Sequence, residues 1–171
     1  MKIYTRTGDK GTTQVYADKP LRVDKDDAVV NSYGDIDELN SQLGLLAAVA
    51  AAEFRPHLHS IQRNLFQAGF AISANTSLSE ADIKALEDEI DALSKVMPPQ
   101  TQFVLPGGCT AAAQSHVCRA VCRRAERAVI SLRRHYDVPE VVPAYLNRLS
   151  DYLFTLARYL NFQAKVNDVT V

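Results

Sequence analysis

The 171-residue sequence carries almost no net charge, −1 with its four histidines neutral, so it offers no overall basic field. That argues against a general nucleic-acid binder. Cysteine is scarce: Cys109, Cys118 and Cys122 are the only three. The number is odd and no Cys-x-x-Cys pair occurs, so neither a disulfide framework nor a zinc site is suggested. Buried, inert thiols are the expectation. Long hydrophobic runs are missing too. The longest, Leu43 to Ala52, falls well short of the ~20 residues that span a bilayer. Met1-Lys2-Ile3-Tyr4-Thr5-Arg6 contains no apolar signal core. A soluble, cytoplasmic protein with no membrane partner is expected.

Signatures of side-chain chemistry are equally sparse. There is no Gly-x-Ser-x-Gly and no evident Ser–His–Asp set. No histidine follows a glutamate in the Glu-x-x-His arrangement, which argues against a di-iron bundle. His57 and His59 flank Leu58 near a helix start and read as surface or capping groups. No metal-ligating residue is assigned.

What the chain does have is 47% hydrophobic residues, enough for a sizeable core in one domain covering residues 1–171. Residues 1–25 form an arm with little helical character. Tyr4–Thr7 and Thr12–Tyr16 read as extended, flanking the turn Gly8-Asp9-Lys10-Gly11. Residues 26–171 read as helical. Ser32, Ile36, Leu39, Leu43, Leu46 and Ala50 make one stripe at helical period. A second helix is expected over Pro56–Ala74, with Leu58, Ile61, Leu65, Ala68 and Ile72 inward. Ser79-Glu80-Ala81-Asp82 resembles a capping box and opens a third helix to Val96, ended by Pro98-Pro99. A rigid turn and then a flexible one, Phe103–Gly108, precede a fourth helix over Thr110–Tyr136. Val142-Pro143 breaks the chain before a fifth helix, Ala144–Lys165, with Leu146, Leu149, Leu153, Leu156 and Leu160 inward. The fold class is therefore all-α: a five-helix bundle with an extended N-terminal arm.

Polar constellations sit on this frame. Arg119, Arg123, Glu126 and Arg127 share one face of the fourth helix, with His116 beside them. Guanidinium forks match phosphate oxygens, so this face can grip a polyphosphate; a solvated ladder of ion pairs is the plainer alternative. Arg124 points to the apolar side and needs a carboxylate at a helix or subunit contact, unless it snorkels. Asp37 and Ser41 flank the stripe of the first helix, and Asp37 is placed to meet an arginine of the fourth. Asn147, Asp151 and Arg158 share a face of the fifth helix, with Arg148 adjacent. In the arm, Thr5-Arg6-Thr7-Gly8-Asp9-Lys10-Gly11-Thr12-Thr13 combines hydroxyls, positive charge and glycine turns that can aim N–H groups at phosphate. It is not a Walker A loop, and an unstructured or hairpin terminus is the alternative. A phosphate-gripping surface without a nucleophile suggests that, in an enzyme, a substrate or cofactor supplies the nucleophile.

In this order the motifs closely resemble the PduO-type ATP:cob(I)alamin adenosyltransferases. The pieces are Thr5–Thr13, Arg22-Val23-Asp24-Lys25, Tyr33-Gly34-Asp35-Ile36-Asp37-Glu38-Leu39-Asn40, Phe103–Gly108, His116–Arg119, Arg123–Arg127 and Leu146–Asp151. Together they cover nearly the whole chain. The resemblance implies a five-helix homotrimer with active sites between subunits. It implies transfer of the 5′-deoxyadenosyl group of ATP to the cobalt of cob(I)alamin, with Mg²⁺ on the triphosphate and a separate reductase supplying the electron to cob(II)alamin. An adenosylcobalamin-dependent client enzyme is a further implied partner. A non-catalytic adenosylcobalamin chaperone is the alternative function.

By the same resemblance, Thr5, Arg6, Thr7, Gly8, Thr13, Gln14 and Lys25 form one wall of an ATP clamp. Arg123, Arg124, Glu126, Arg127, Asn147 and Arg148 form the other. Arg119 resembles the arginine that pairs with the acid of the Asp-Glu-Leu-Asn motif, here Asp37, across the subunit interface. Asp151 supports that site. Phe103 resembles the aromatic that displaces the lower axial ligand of the corrinoid. Two departures stand out: Gln14-Val15-Tyr16 replaces a glycine-rich continuation, and Cys109 occupies a position where a small hydroxyl is frequent.

Overall fold

Every position of the three expected apolar stripes is buried, and this burial organises the chain. In a computed structural model describing residues 2–15, 21–72 and 75–171, a short antiparallel pair, β1 (Thr12–Val15) and β2 (Leu21–Asp24), precedes five helices. These are α1 (Ala28–Val49), α2 (Arg55–Phe70), α3 (Glu80–Val96), α4 (Thr110–Leu132) and α5 (Val141–Gln163). A 3-10 turn at Ala52–Phe54 leads into α2. α1 packs between α2 and α4, and α5 packs between α4 and α3. One contiguous core runs through all five helices and takes in Val15 of β1.

Local chemistry sets the boundaries. Asp27 caps α1, its carboxylate accepting from Val29 N at 2.8 Å; such a cap is worth about 1 kcal/mol. Pro56 lies in the first turn of α2. Asp82 reaches back to accept from Ser79 N at 2.9 Å, completing the capping box of α3. α4 and α5 run antiparallel. Ser115 Oγ donates to Leu153 O at 2.8 Å, and Cys122 Sγ donates to Leu146 O at 3.1 Å. Leu146, Leu149, Leu153 and Leu156 are fully buried along this seam; each contributes about 1.5–3 kcal/mol relative to exposure.

Four expectations need correction. α2 ends at Phe70; Ile72 is still buried, and Ala74 lies outside the described residues. α4 ends at Leu132, with Arg133 to Tyr136 closing as a turn rather than a further helical turn. α5 begins at Val141, so Pro143 sits in its first turn, where the missing N–H has no intrahelical acceptor to lose. In the arm, Thr12–Val15 pairs with Leu21–Asp24, Thr12 opposite Asp24. It does not pair with residues 4–7, and Tyr16 lies outside the described residues.

Candidate functional site

The antiparallel register of α4 and α5 brings their polar faces together. Arg119 and Arg123 of α4 line a cavity of about 210 Å³ with Ser150, Asp151, Phe154 and Thr155 of α5. One turn further, Asn147 Nδ2 donates to Glu126 Oε1 at 3.1 Å. The expected group Arg119, Arg123, Glu126, Asn147 and Asp151 thus forms one continuous strip, with Arg127 exposed beside it.

Arg119 is half-buried, and its Nε is fully buried without a hydrogen-bond partner among the described residues. Burial and then the charge of Arg123 pull its guanidinium below the ordinary value. His116 does not join this charged face. It is buried, its ring centroid 6.0 Å from that of Phe154, with Nδ1 unpartnered among the described residues. Burial, then the Arg119 charge, lowers its pKa against an opposing pull from Asp168. The imidazole is therefore held neutral.

Asp151 is positioned by Arg148, which donates from Nη1 to its Oδ2 at 2.7 Å and from Nε to Glu87 Oε1 of α3 at 3.1 Å. Arg148 thus faces carboxylates. Arg124 is not on the apolar side: its side chain is 44% exposed and pairs with Asp35 at 2.9 Å and with Glu38 of α1. Both of these arginines tie helices together.

The arm makes a separate cluster. Thr5 Oγ1 and Thr7 Oγ1 lie 2.9 Å apart, and Arg6 between them has φ 60°, a conformation that concentrates at ligand-binding segments. Arg22 Nη2 donates to Thr7 O and Thr12 Oγ1, each at 2.7 Å. The Lys25 ammonium sits against Gly8, 3.4 Å from where a Cβ would stand. Thr5, Arg6, Thr7, Gly8 and Lys25 therefore converge, with Arg22 as the brace. Thr13 and Gln14 belong elsewhere. They line a cavity of about 350 Å³ with Asp37, Asn40, Tyr33, Phe66 and Phe70.

Asp37 faces that cavity and makes no ion pair with Arg119 among the described residues. The aromatics Phe66 and Phe70 are not expected from the sequence, because they fall off the α2 stripe and read as ordinary surface. Phe103 is 82% exposed. Its carbonyl accepts from Val171 N at 3.0 Å, and Leu105 N donates to Val169 O at 2.8 Å. Gly108, expected to be flexible, has φ 105° and lies hard against Asn161. Cys118 and Cys122 are buried free thiols, and burial pushes Cys118 up to about 12.

Among the described residues no group of three His, Cys, Asp or Glu could hold a metal ion, and no helix is long and apolar enough to cross a membrane.

Comparison with known proteins follows the same motifs. The model of the cobalamin adenosyltransferase family matches residues 3–160. A corrinoid adenosyltransferase of Bacillus subtilis is 41% identical over 179 residues, covering 99% of this chain and 91% of the relative. One from Citrobacter freundii is 42% identical over 166 residues, covering 92% and 93%. A variant PduO-type ATP:corrinoid adenosyltransferase from Lactobacillus reuteri, solved in complex with cobalamin and ATP, superposes with a TM-score of 0.91 at 34% identity, covering 99% of this chain and 96% of that one.

Proposed function

This chain belongs to the cobalamin adenosyltransferase family, and we propose that it transfers the 5′-deoxyadenosyl group of ATP to the cobalt of cob(I)alamin. The cobalt(I) electron pair forms the Co–C5′ bond. The C5′–O bond breaks, and its pair leaves on triphosphate. Cobalt becomes formally Co(III), and no proton need move. The observation that carries this reading is the α4–α5 strip: two arginines converge on one cavity beside Asp151, and the two hydroxyls there, Ser150 and Thr155, each donate to a carbonyl of α5 rather than to a base. A substrate-borne nucleophile needs only position and charge stabilisation from the protein.

Arg123 is the exposed guanidinium of that cavity and is assigned to the triphosphate. Glu126 and Asn147 orient the nucleoside. Thr5, Arg6, Thr7, Gly8 and Lys25 close over the phosphates from the arm. The ring of Phe103 occupies the space below the corrin. Mg²⁺ has no protein ligand cluster among the described residues, so none is assigned to it; bound to ATP, it neutralises phosphate charge.

The catalytic unit is a homotrimer in this reading. Support comes from two groups that face different cavities of one chain, Asp37 and Arg119 with its unpartnered buried Nε. A heterologous contact would bring one to the other, and the trimer closes that ring. A reductase must deliver the electron that makes cob(I)alamin, and a client enzyme takes the product. Three free cysteines, two of them buried, support a reducing cytoplasmic setting.

The deciding experiment follows the visible spectrum of cob(I)alamin with the protein under strict reduction, before and after ATP and Mg²⁺. Conversion to a light-sensitive adenosylcobalamin spectrum is expected. Binding of both ligands without conversion overturns the transferase reading in favour of a chaperone.

A further inference from the structure

The loop that carries Phe103 has little burial of its own. Phe103, Leu105 and Pro106 are exposed. Phe103 is 82% exposed, so it is not located by packing and its backbone must locate it. That backbone is held from one side by the segment that follows α5. Val104 and Thr170 form an antiparallel bridge. Val171 N donates to Phe103 O at 3.0 Å, and Leu105 N donates to Val169 O at 2.8 Å.

The segment is itself anchored. Asp168 accepts from Arg158 Nε at 3.1 Å and from Asn161 Nδ2 at 3.1 Å. Arg158 Nη2 continues to Pro98 O at 3.2 Å, and Val166 N donates to Asn161 O at 2.9 Å. Asn161, only 3% exposed, closes the circuit on the loop. Its Nδ2 also donates to Gly107 O at 3.1 Å, and its Oδ1 accepts from Cys109 N at 3.0 Å. A Cβ on Gly108 would stand 2.0 Å from that oxygen.

We infer that Asn161 and the segment Val166–Val171 are positioning elements for Phe103, setting where its ring meets the corrinoid. The inference rests on the role of Phe103 proposed above. Val169 and Val171 are 61% and 81% exposed, so the segment is held by backbone bonds and the Asp168 ties rather than by burial. Such segments open at low free energy. A misplacement of about 1 Å can cost on the order of 10²-fold in rate. Loosening this clamp should therefore act on corrinoid chemistry without touching the α4–α5 strip that the nucleotide reading uses.

The test compares Val171→Pro, which removes the N–H donated to Phe103, with Val171→Ala, which keeps it. Asp168→Ala cuts the anchor independently. The readout is the fraction of cob(II)alamin that loses its lower axial ligand on the ATP-loaded protein, seen by visible and electron paramagnetic resonance spectra, alongside kcat and the KM for ATP. Val171→Pro and Asp168→Ala should lower that fraction and kcat about tenfold, with the KM for ATP unchanged; Val171→Ala should match the wild type. A wild-type fraction in both disruptive variants overturns the inference and leaves the transferase reading standing. If the unaltered protein turns over but shows no ligand loss, the role of Phe103 and the inference fail together.

Discussion

Asn147 Nδ2 and Glu126 Oε1 meet at 3.1 Å across the α4–α5 seam, although both side chains border solvent. An exposed bond of this kind adds little to folding. It fixes the rotamers of two polar groups that extend the Arg119–Arg123–Asp151 cavity by one turn. The seam's interior, Ser115 to Leu153 and Cys122 to Leu146, determines which α5 residue faces which α4 residue. Core packing therefore sets the geometry of the surface strip.

Arg123 separates activity from stability. It is exposed and makes no hydrogen bond to another described residue. Arg123→Ala should change unfolding free energy by no more than about 0.5 kcal/mol. It should lower adenosyl transfer on the order of 10²-fold or more, the loss seen when one preorganised charge-stabilising donor is removed. A urea melt with the spectral assay checks both; near-wild-type turnover would remove Arg123 from the site.

Arg124, its neighbour, behaves differently because it bridges α4 to Asp35 and Glu38 of α1. With the guanidinium 44% exposed, screening limits the pair to about 0.2–1 kcal/mol. A double-mutant cycle of Arg124→Ala and Asp35→Ala should return a coupling energy in that range, shrinking as salt is added. Zero coupling at low salt would mean that Arg124 is available to ligand after all.

Most of the fold could be read from the sequence because helical period and burial coincide. The stripe Ser32, Ile36, Leu39, Leu43, Leu46 of α1 and the leucines of α5 are all buried. The helix ends were less legible. Pro143 reads as a breaker, yet it is harmless in a first turn. The α4–α5 strip was visible as polar residues at helical spacing. What Arg124 and Arg148 do was not, since their partners are carboxylates that the neighbouring helices α1 and α3 bring near. The clamp on Phe103 joins residues far apart in the chain through backbone atoms, and side-chain pattern carries no record of such bonds.

Gly108 is where backbone and packing constraints coincide. Its φ is 105°, and a Cβ there would lie 2.0 to 2.5 Å from three atoms of the buried Asn161 amide. Gly108→Ala should destabilise by about 1–3 kcal/mol, combining a forbidden dihedral with a clash. Asn161→Ala removes the clash but also the hydrogen bonds of that amide to Cys109, Gly107 and Asp168, so the comparison is made within that background, where Gly108→Ala should cost less than in the wild type yet still be destabilising. No cost of Gly108→Ala in the Asn161→Ala background, measured by chemical denaturation, would show the dihedral to be unstrained.

One buried imidazole, His116, and one half-buried imidazole, His57, give the protein a directional response to pH. The pKa of His116 is lowered by burial and then by Arg119, and that of His57 by burial against an opposing pull from Glu89; the ordinary value for both is 6.5. The folded state keeps these rings neutral while the unfolded chain takes up protons below about pH 6.5. The unfolded state then binds more protons, so stability rises with pH. The contribution is fully present above the unfolded pKa and is lost as pH falls below it. Urea midpoints should decline between about pH 7.5 and about pH 5.5. His116→Gln should make that decline shallower even if it lowers stability overall, because its side chain cannot be protonated in either state. A pH slope identical to the wild type would mean that His116 titrates alike in the folded and unfolded chain.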